Sequence, residues 1–309
     1  MISFVIVNYK TGLLAIEAVK SIFEFCDPKM IAEIIVVDNS EQEEELLFLK
    51  ESLAPLNSVL VLESPNKGFG AANNVGVSAS TGDILFLLNS DASLTTPLLP
   101  EFLGLLSGQV GVLAPKVLYP DGRIQENISS FVRLHTSVLR FLRMGQLVRS
   151  NKILANIFKK ISFFIPSLRY YFEKDKKSQE SREVEWASGC ALIIRKDVFT
   201  QAGGFDENIF LYYEDEELCY RIKTLGYKTW YVPQIIVQHD VGGSNKEKNN
   251  EFIEITKINS ELYYYKKHFP QKLNKLRTIY KYTTTILSPF SKRMRIINKA
   301  FQTSKITQQ

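Results

Sequence analysis

The feature that most constrains the fold is the alternation of strand-like and helix-like patterns through the first 115 residues. Ile2–Asn8 is an unbroken apolar run ending in a polar residue, as expected of a strand covered on both faces. Leu14, Ala18, Ile22 and Phe25 then recur at helical spacing over 13–25. Further strands are expected over 34–38, 59–62 and 84–89. Ser40 and Glu43 have the spacing of a capping box opening a helix that runs to Leu53. Thr96-Pro97 reads as an N-cap followed by proline at the first helical position. Alternation at this spacing predicts an α/β fold with a doubly wound, mainly parallel sheet. Ligands of such sheets bind beyond the carboxyl ends of the strands, which points to Asn8, Asp38 and the Asn89-Ser90-Asp91 run.

The second half changes character. Tyr119-Pro120-Asp121-Gly122 is a turn signal. Residues 131–172 form a long basic segment broken by Pro166, and strand character returns over 184–195. A short amphipathic helix over 214–225 carries Leu218, Ile222 and Leu225 and is closed by Gly226. Strand-like runs follow over 229–232 and 235–239. The expected organisation is a catalytic domain over 1–245, with a basic helical insertion at about 131–175, and a basic helical appendage over 246–309.

No apolar run approaches the roughly 20 residues that span a bilayer. The N-terminus has no basic region before its apolar run, so no signal peptide is expected. Cys26, Cys190 and Cys219 lie far apart, against a disulfide framework or a zinc site and in keeping with a reducing cytoplasm. The net charge of +5 hides an asymmetry: residues 262–309 hold 11 Lys/Arg and no acid, leaving −6 on residues 1–261. Residues 131–180 hold 11 Lys/Arg against three acids. Such blocks suggest an anionic partner, a membrane surface or nucleic acid, unless they are only a solvated face and a frayed tail. Nucleic acid is not expected, because the tail has no recognition motif. Leu276, Tyr280, Ile286, Phe290 and Ile297 interleave with the tail's cations as in an interfacial helix. Packing on the domain or on a second subunit is the alternative, so an oligomer is open.

Five places in the chain carry candidate chemistry. Leu87-Leu88-Asn89-Ser90-Asp91 brings a carboxylate to a strand end, with Asn89 two residues earlier on the same side of the pleat. A hard divalent cation bridging a diphosphate takes oxygen ligands, often through only one or two carboxylates. Taken alone, an aspartate starting a turn is the better reading. Asp38-Asn39-Ser40 ends the second strand, where a carboxylate can accept from a nucleobase imide or a ribose. Asn66-Lys67-Gly68-Phe69-Gly70-Ala71-Ala72-Asn73-Asn74 follows the third, with glycines that allow close backbone approach and a helix start that can face an anion. A dinucleotide fingerprint would follow the first strand, where Asn8-Tyr9-Lys10-Thr11-Gly12 stands instead, so the dehydrogenase reading is poor. Glu214-Asp215 opens a helix after Phe210-Leu211-Tyr212-Tyr213. First-turn acids often only complement the helix dipole, yet a carboxylate so placed can also take a proton as a general base. His239 ends a strand; such a histidine is usually structural, and with Asp91 it can complete a metal shell.

In order, these segments resemble the family 2 glycosyltransferases with the GT-A fold, and most of all their rhamnosyltransferase-like branch, which builds bacterial surface polysaccharides. The resemblance rests on F-V-I-V-N-Y at Phe4, V-V-D-N-S at Val36, N-K-G-F-G-A-A-N-N at Asn66 and L-L-N-S-D-A at Leu87. It continues through W-A-S-G-C-A at Trp186, G-G-F-D-E at Gly203, Y-E-D-E-E-L-C-Y-R at Tyr213 and Q-H at Gln238, covering about residues 2–245. It implies that Asp38 binds the nucleobase or ribose and that Asn8, Lys67 and Asn73 line the nucleotide pocket, beside Asn89 and Ser90. Asp91 would hold Mn²⁺ or Mg²⁺ together with His239. Asp215 would be the base, with Glu214 next in line, and Trp186, Ser188 and Gly189 would shape the sugar and acceptor pocket. The first carboxylate of the family's D-x-D is Asn89 here, which leaves fewer charged metal ligands. The implied activity is inverting transfer of a sugar, rhamnose from dTDP-rhamnose, to a glycan or lipid-linked saccharide. The expected location is the cytoplasmic face of the cell membrane. A non-catalytic sugar-nucleotide-binding scaffold is the rival reading; it would call for damage at Asp91 or Asp215, and both are intact.

Overall fold

The computed structural model describes residues 1–144, 179–240 and 250–303, with the isolated residues 156 and 160. The chain divides into two compact units, Met1–Ser129 with Glu180–Glu247, and Ser130–Gln179 with Lys248–Gln309. Contacts thus group the basic segment after residue 130 with the C-terminal helices.

In the first unit, apolar runs and amphipathic helices alternate as β1 (Ile2–Asn8), α1 (Gly12–Phe25), β2 (Ile31–Asp38), α2 (Glu43–Leu53), β3 (Val59–Glu63), α3 (Phe69–Ala79) and β4 (Ile84–Asn89). The chain continues through β5 (Ala92–Leu94), α4 (Pro100–Gly104), β6 (Val110–Leu118), β7 (Ile124–Gln125) and β8 (Ile128–Ser129). After the second unit's first segment come β9 (Arg182–Val184), β10 (Trp186–Ala187), β11 (Ala191–Arg195), the helices Lys196–Gln201 and Glu214–Thr224, and β12 (Lys228–His239). The main sheet has the order β3-β2-β1-β4-β11-β6-β12-β5.

The strands β3, β2, β1 and β4 are parallel, as the alternation predicts. Beyond them the sheet is mixed: β11 runs antiparallel to both β4 and β6, and β12 is parallel to β6. The reason lies in the approach. The chain reaches β11 through Trp186–Ala187 at the carboxyl end of β4, so it can only run back along β4. Side chains alternate between two cores. Phe4, Ile6, Ile34 and Phe86 pack with α1 residues Ala18 and Ile22, and Val5, Ile35 and Leu87 pack with Ala72, Phe205 and Leu218. Burial on both faces explains why these strands read as continuous apolar runs.

Three local expectations differ from the structure. The α2 helix begins at Glu43 with Gln42 as N-cap and no side-chain cap. Ser40 is diverted: its Oγ donates to Asp38 Oδ1 at 2.6 Å and accepts from Lys10 N at 2.8 Å. The helix expected at Thr96-Pro97 begins instead at Pro100, because Thr96 Oγ1 accepts from Ile236 N at 2.9 Å and ties that stretch to β12. The two runs 229–232 and 235–239 are one strand, whose register shifts between Val232 and Ile236, where Pro233 has no N–H to give.

The second unit contains the helices Leu134–Phe141, Asn250–His268, Pro270–Leu287 and Lys292–Gln302. Phe141 stacks on Tyr280 with centroids 4.0 Å apart, and Tyr280 Oη donates to Glu261 Oε2 at 2.8 Å. Glu254 bridges Arg143 at 2.6 Å and Arg293 at 2.7 Å. Leu276, Tyr280 and Ile297 are therefore core residues of a helical unit and not lipid contacts. Ile286 and Phe290 remain 66% and 85% exposed at the corner between the last two helices. Most of the basic segment 131–172 lies outside the described residues. Among the described residues no helix is long and apolar enough to cross a membrane.

Candidate active site

Asn8 and Asp38 end adjacent parallel strands and pair in register. Asn8 is fully buried, and its amide is committed within the protein. Nδ2 donates to Asp38 Oδ1 at 2.9 Å, Glu45 Oε1 at 3.1 Å and Ser40 Oγ at 3.3 Å. Oδ1 accepts from Thr11 N at 3.1 Å and Thr11 Oγ1 at 2.9 Å. An amide so occupied has no capacity for a ligand. Its work is to aim the Asp38 carboxylate, which takes all three of its hydrogen bonds, from Asn8 and from Ser40 Oγ and N, on Oδ1. Ser90 Oγ meets Thr11 Oγ1 at 2.8 Å and joins the β4 end to the same network.

The Gly68–Gly70 segment serves packing. Gly68 has φ +109°, and a Cβ there would lie 2.3 Å from Phe210 O; one on Gly70 would lie 2.8 Å from Phe205 Cβ. The expected close approach is thus to the chain's own 205–210 loop. Phe69 N donates to Phe210 O at 3.1 Å, and Asn74 brackets Phe205 through its N at 2.9 Å and its O at 2.9 Å. Gly68→Ala should therefore cost about 1–3 kcal/mol of stability, read from denaturant unfolding. Asn73 is buried with Nδ2 on Phe69 O at 3.0 Å, and Lys67 is exposed.

The second cluster joins residues nearly 150 positions apart. The loop after β4 carries Asp91 to the edge of β12, where Asp91 Oδ1 lies 3.0 Å from His239 Nε2. Asn89 Nδ2 is 3.4 Å from the same nitrogen, and Asn89 Oδ1 is buried without a hydrogen-bond partner. Gln125 on β7 meets His239 Nδ1 with Oε1 at 3.1 Å and Nε2 at 2.9 Å. With Oε1 accepting from Nδ1–H, the Nε2 lone pair faces Asp91, the orientation a histidine needs to ligate a metal. A carboxylate oxygen 3.0 Å from an imidazole nitrogen calls for a proton or a cation between them. One carboxylate, one imidazole and an orphaned amide oxygen fit a divalent cation that completes its shell with ligand oxygens. Among the described residues no three His, Cys, Asp or Glu gather to hold a metal unaided. Nothing in the sequence around Gln125 marks it, because its part depends on β7 pairing with the end of β6.

The third cluster lies at the turn before β11. Gly189 N donates to Asp215 Oδ2 at 3.0 Å, and Glu216 N donates to Oδ1 at 2.7 Å. Burial, the largest influence, pushes the Asp215 carboxyl above its ordinary range; these two N–H groups, its own N–H and the Ser188 hydroxyl offset part of the rise. Gly189 leaves room for this contact, since a Cβ there would meet Phe69 at 3.1 Å and Asp215 Cβ at 3.6 Å. Glu214, also predicted, is buried at the start of the helix. Tyr212 and Tyr213 enter that helix with φ +66° and +72°, a costly backbone for non-glycine residues that aims Asp215 toward the β11 turn. Arg221 anchors the helix: it pairs with buried Glu217 at 2.6 Å and donates to the carbonyls of Ala202 and Gly204. Trp186 and Ala187 pair with Ser129 and Ile128, and Ser188 N donates to Asn127 O at 2.6 Å, which holds the remaining pocket residues on one ribbon. The Cys190 and Cys219 thiols are buried and pushed up to about 12, so neither is a nucleophile at neutral pH.

The chain is similar to known proteins in sequence and in fold. The chain is 26% identical over 227 residues to the low-salt glycan biosynthesis hexosyltransferase Agl10 of Haloferax volcanii, 72% of this chain and 61% of that protein. It is 32% identical over 93 residues to the rhamnosyltransferase WbbL of Escherichia coli, 29% of this chain and 35% of that protein. Over 68 residues it is 38% identical to the N-acetylglucosaminyl-diphospho-decaprenol L-rhamnosyltransferase of Mycobacterium tuberculosis, 22% of each. These matches therefore span between a fifth and about three fifths of the relatives' own lengths. Among solved structures, GalNAc-T7 with UDP, GalNAc and Mn²⁺ aligns with a TM-score of 0.59 at 18% identity, covering 86% of this chain and 49% of that one. The mannosyltransferase PcManGT of Pyrobaculum calidifontis, with GDP-Man and Mn²⁺, aligns at 0.53 and 14% identity, covering 100% of this chain and 76% of that one. These likenesses establish the GT-A fold. The model of glycosyl transferase family 2 matches residues 3–199, and the chain belongs to that family.

Proposed function

We propose that the protein transfers a sugar from a nucleoside-diphosphate donor to a glycan or lipid-linked saccharide, with inversion, in surface polysaccharide synthesis. The observation that carries this reading is the placement of Asp215 and of the Asn89, Asp91 and His239 cluster at the same carboxyl edge of one sheet. Asp38, aimed by Asn8 and Ser40, is suited to bind the nucleoside. Mn²⁺ or Mg²⁺ held by Asp91, His239 and the Asn89 amide oxygen would supply positive charge to the departing diphosphate. Asp215 takes the acceptor hydroxyl proton; its raised carboxyl makes it a stronger base than an ordinary aspartate. The strand-end residues Trp186, Ser188 and Gly189 shape the sugar and acceptor pocket.

Rhamnose from dTDP-rhamnose is our choice of donor, supported by the two relatives named as rhamnosyltransferases. The test is incubation of purified protein with dTDP-rhamnose, UDP-GlcNAc, UDP-glucose and GDP-mannose in Mn²⁺, reading donor hydrolysis. Turnover of dTDP-rhamnose above the other three is expected. Turnover of none of them would overturn the enzymatic reading.

We also place the protein at the inner, anionic face of the cell membrane. Tyr282, Ile286 and Phe290 are exposed around the corner of the last two helices, beside exposed Lys281, Lys292 and Arg295. Each cation near an anionic surface contributes about 1 kcal/mol. Co-sedimentation with phosphatidylglycerol vesicles at low salt, and little with phosphatidylcholine, is the expected result. The Ile286→Ser/Phe290→Ser variant should lose most of it. Equal sedimentation of both proteins would exclude this corner as the contact.

A further inference from the structure

One lysine at the edge of the site belongs to none of the motifs. Lys116 lies in β6 and is 8% exposed, yet its side chain has no hydrogen-bond or ion-pair partner among the described residues. Three buried carboxylates of this unit are held within the protein: Glu217 by Arg221, Asp91 by His239 and Asp38 by Asn8 and Ser40. The Lys116 stem is buried while its ammonium, which is not among the buried atoms left without a partner, reaches solvent at the strand end, where a ligand can meet it.

Val112 and Ala114 face the core that contains Leu192 and Leu218, and Lys116 continues that alternation toward the carboxyl end of β6. Leu113 pairs with Ile193 and Val112 with Ile194; the same register continued places Lys116 opposite Cys190, whose carbonyl accepts Asn89 N at 3.0 Å. Asn89 and Lys116 thus lie on strands separated by β11 alone, each near the carboxyl end of its strand. On its other side Lys116 pairs with Ile236, three residues before His239. The strand bearing Lys116 therefore runs between the one whose turn holds Asp215 and the one that ends in His239. Asn89 Oδ1, an acceptor without a donor, lies on the strand two places from this donor without an acceptor.

We propose that Lys116 binds the diphosphate of the donor nucleotide, its ammonium kept unpaired by the fold until a phosphate oxygen arrives. The proposal rests on the nucleotide-sugar reading above. It also accounts for a site with one carboxylate fewer at its metal: charge on the departing diphosphate is met by a fixed cation as well as by the ion.

The test is calorimetric titration of wild type, Lys116→Met and Lys116→Arg with inorganic pyrophosphate and with dTDP, in Mn²⁺ and in EDTA, with thymidine as the phosphate-free control. Loss of a charge-assisted hydrogen bond predicts pyrophosphate and dTDP binding about 10- to 100-fold weaker in the Met variant in both buffers, thymidine binding unchanged, and most of the affinity kept in the Arg variant. That combination is not expected of a merely structural lysine. Equal affinity of wild type and Lys116→Met would overturn the proposal. If wild type binds neither pyrophosphate nor dTDP, the nucleotide-sugar reading fails with it. If wild type binds, Asp91→Ala loses the Mn²⁺-dependent part and Lys116→Met changes nothing, this proposal fails alone.

Discussion

Asp215→Asn should lower kcat by at least ~100-fold, the usual scale for a positioned general base, while nucleoside-diphosphate affinity changes little. The substitution keeps the size of the side chain and an oxygen for Gly189 N or Glu216 N, so the thermal midpoint should move far less than the rate. The pH profile offers an independent check. A base must be deprotonated to act, and burial raises the folded-state pKa of Asp215. The acid limb of kcat/KM should therefore fall at a higher pH than an ordinary aspartate would give, and activity should be lost as pH drops through that limb. The same shift has a stability sign: favoured protonation in the fold is fully present below the unfolded pKa and is lost as pH rises through the folded one. Near-normal turnover in Asp215→Asn would move the base elsewhere, with buried Glu214 the next residue to substitute.

Removal of the divalent cation should have the second large effect. Excess EDTA should abolish transfer, and Mn²⁺ or Mg²⁺ should restore it. Asp91→Ala should remove metal-dependent dTDP binding in calorimetry, because it takes away the only carboxylate at His239 Nε2 among the described residues. His239→Ala should weaken it less, since the carboxylate and the amide oxygen remain. Gln125→Leu should weaken metal binding by about 10- to 100-fold, the usual scale for a residue that orients a ligating histidine. Full activity in EDTA would remove the cation from the mechanism and leave the Asp91–His239 pair as a hydrogen bond.

Short segments of sequence were enough to place the strand ends. A continuous apolar run that stops at a polar residue is a local signal, and Asn8, Asp38 and Asn89 do end β1, β2 and β4. The helix opened by Glu214-Asp215 and closed before Gly226 was equally legible, because first-turn acids and a glycine with φ +90° are local devices. The order of these motifs carried the family. What a residue touches was not legible. Asn8 reads as a ligand group from its strand end, and only the packing of Thr11, Asp38, Ser40 and Glu45 around it shows an amide with nothing left to offer. The glycines at Gly68 and Gly70 read as points of close backbone approach, and only the arrival of the 205–210 loop gives that approach its partner. Gln125 and Lys116 carry no motif at all. Their meaning comes from the pairing of β7 with β6 and from the passage of β6 between β11 and β12. The physical reason is range: backbone preference and periodicity act over a few residues, whereas a 3.0 Å contact between residues 148 positions apart exists only after the whole sheet has chosen its order.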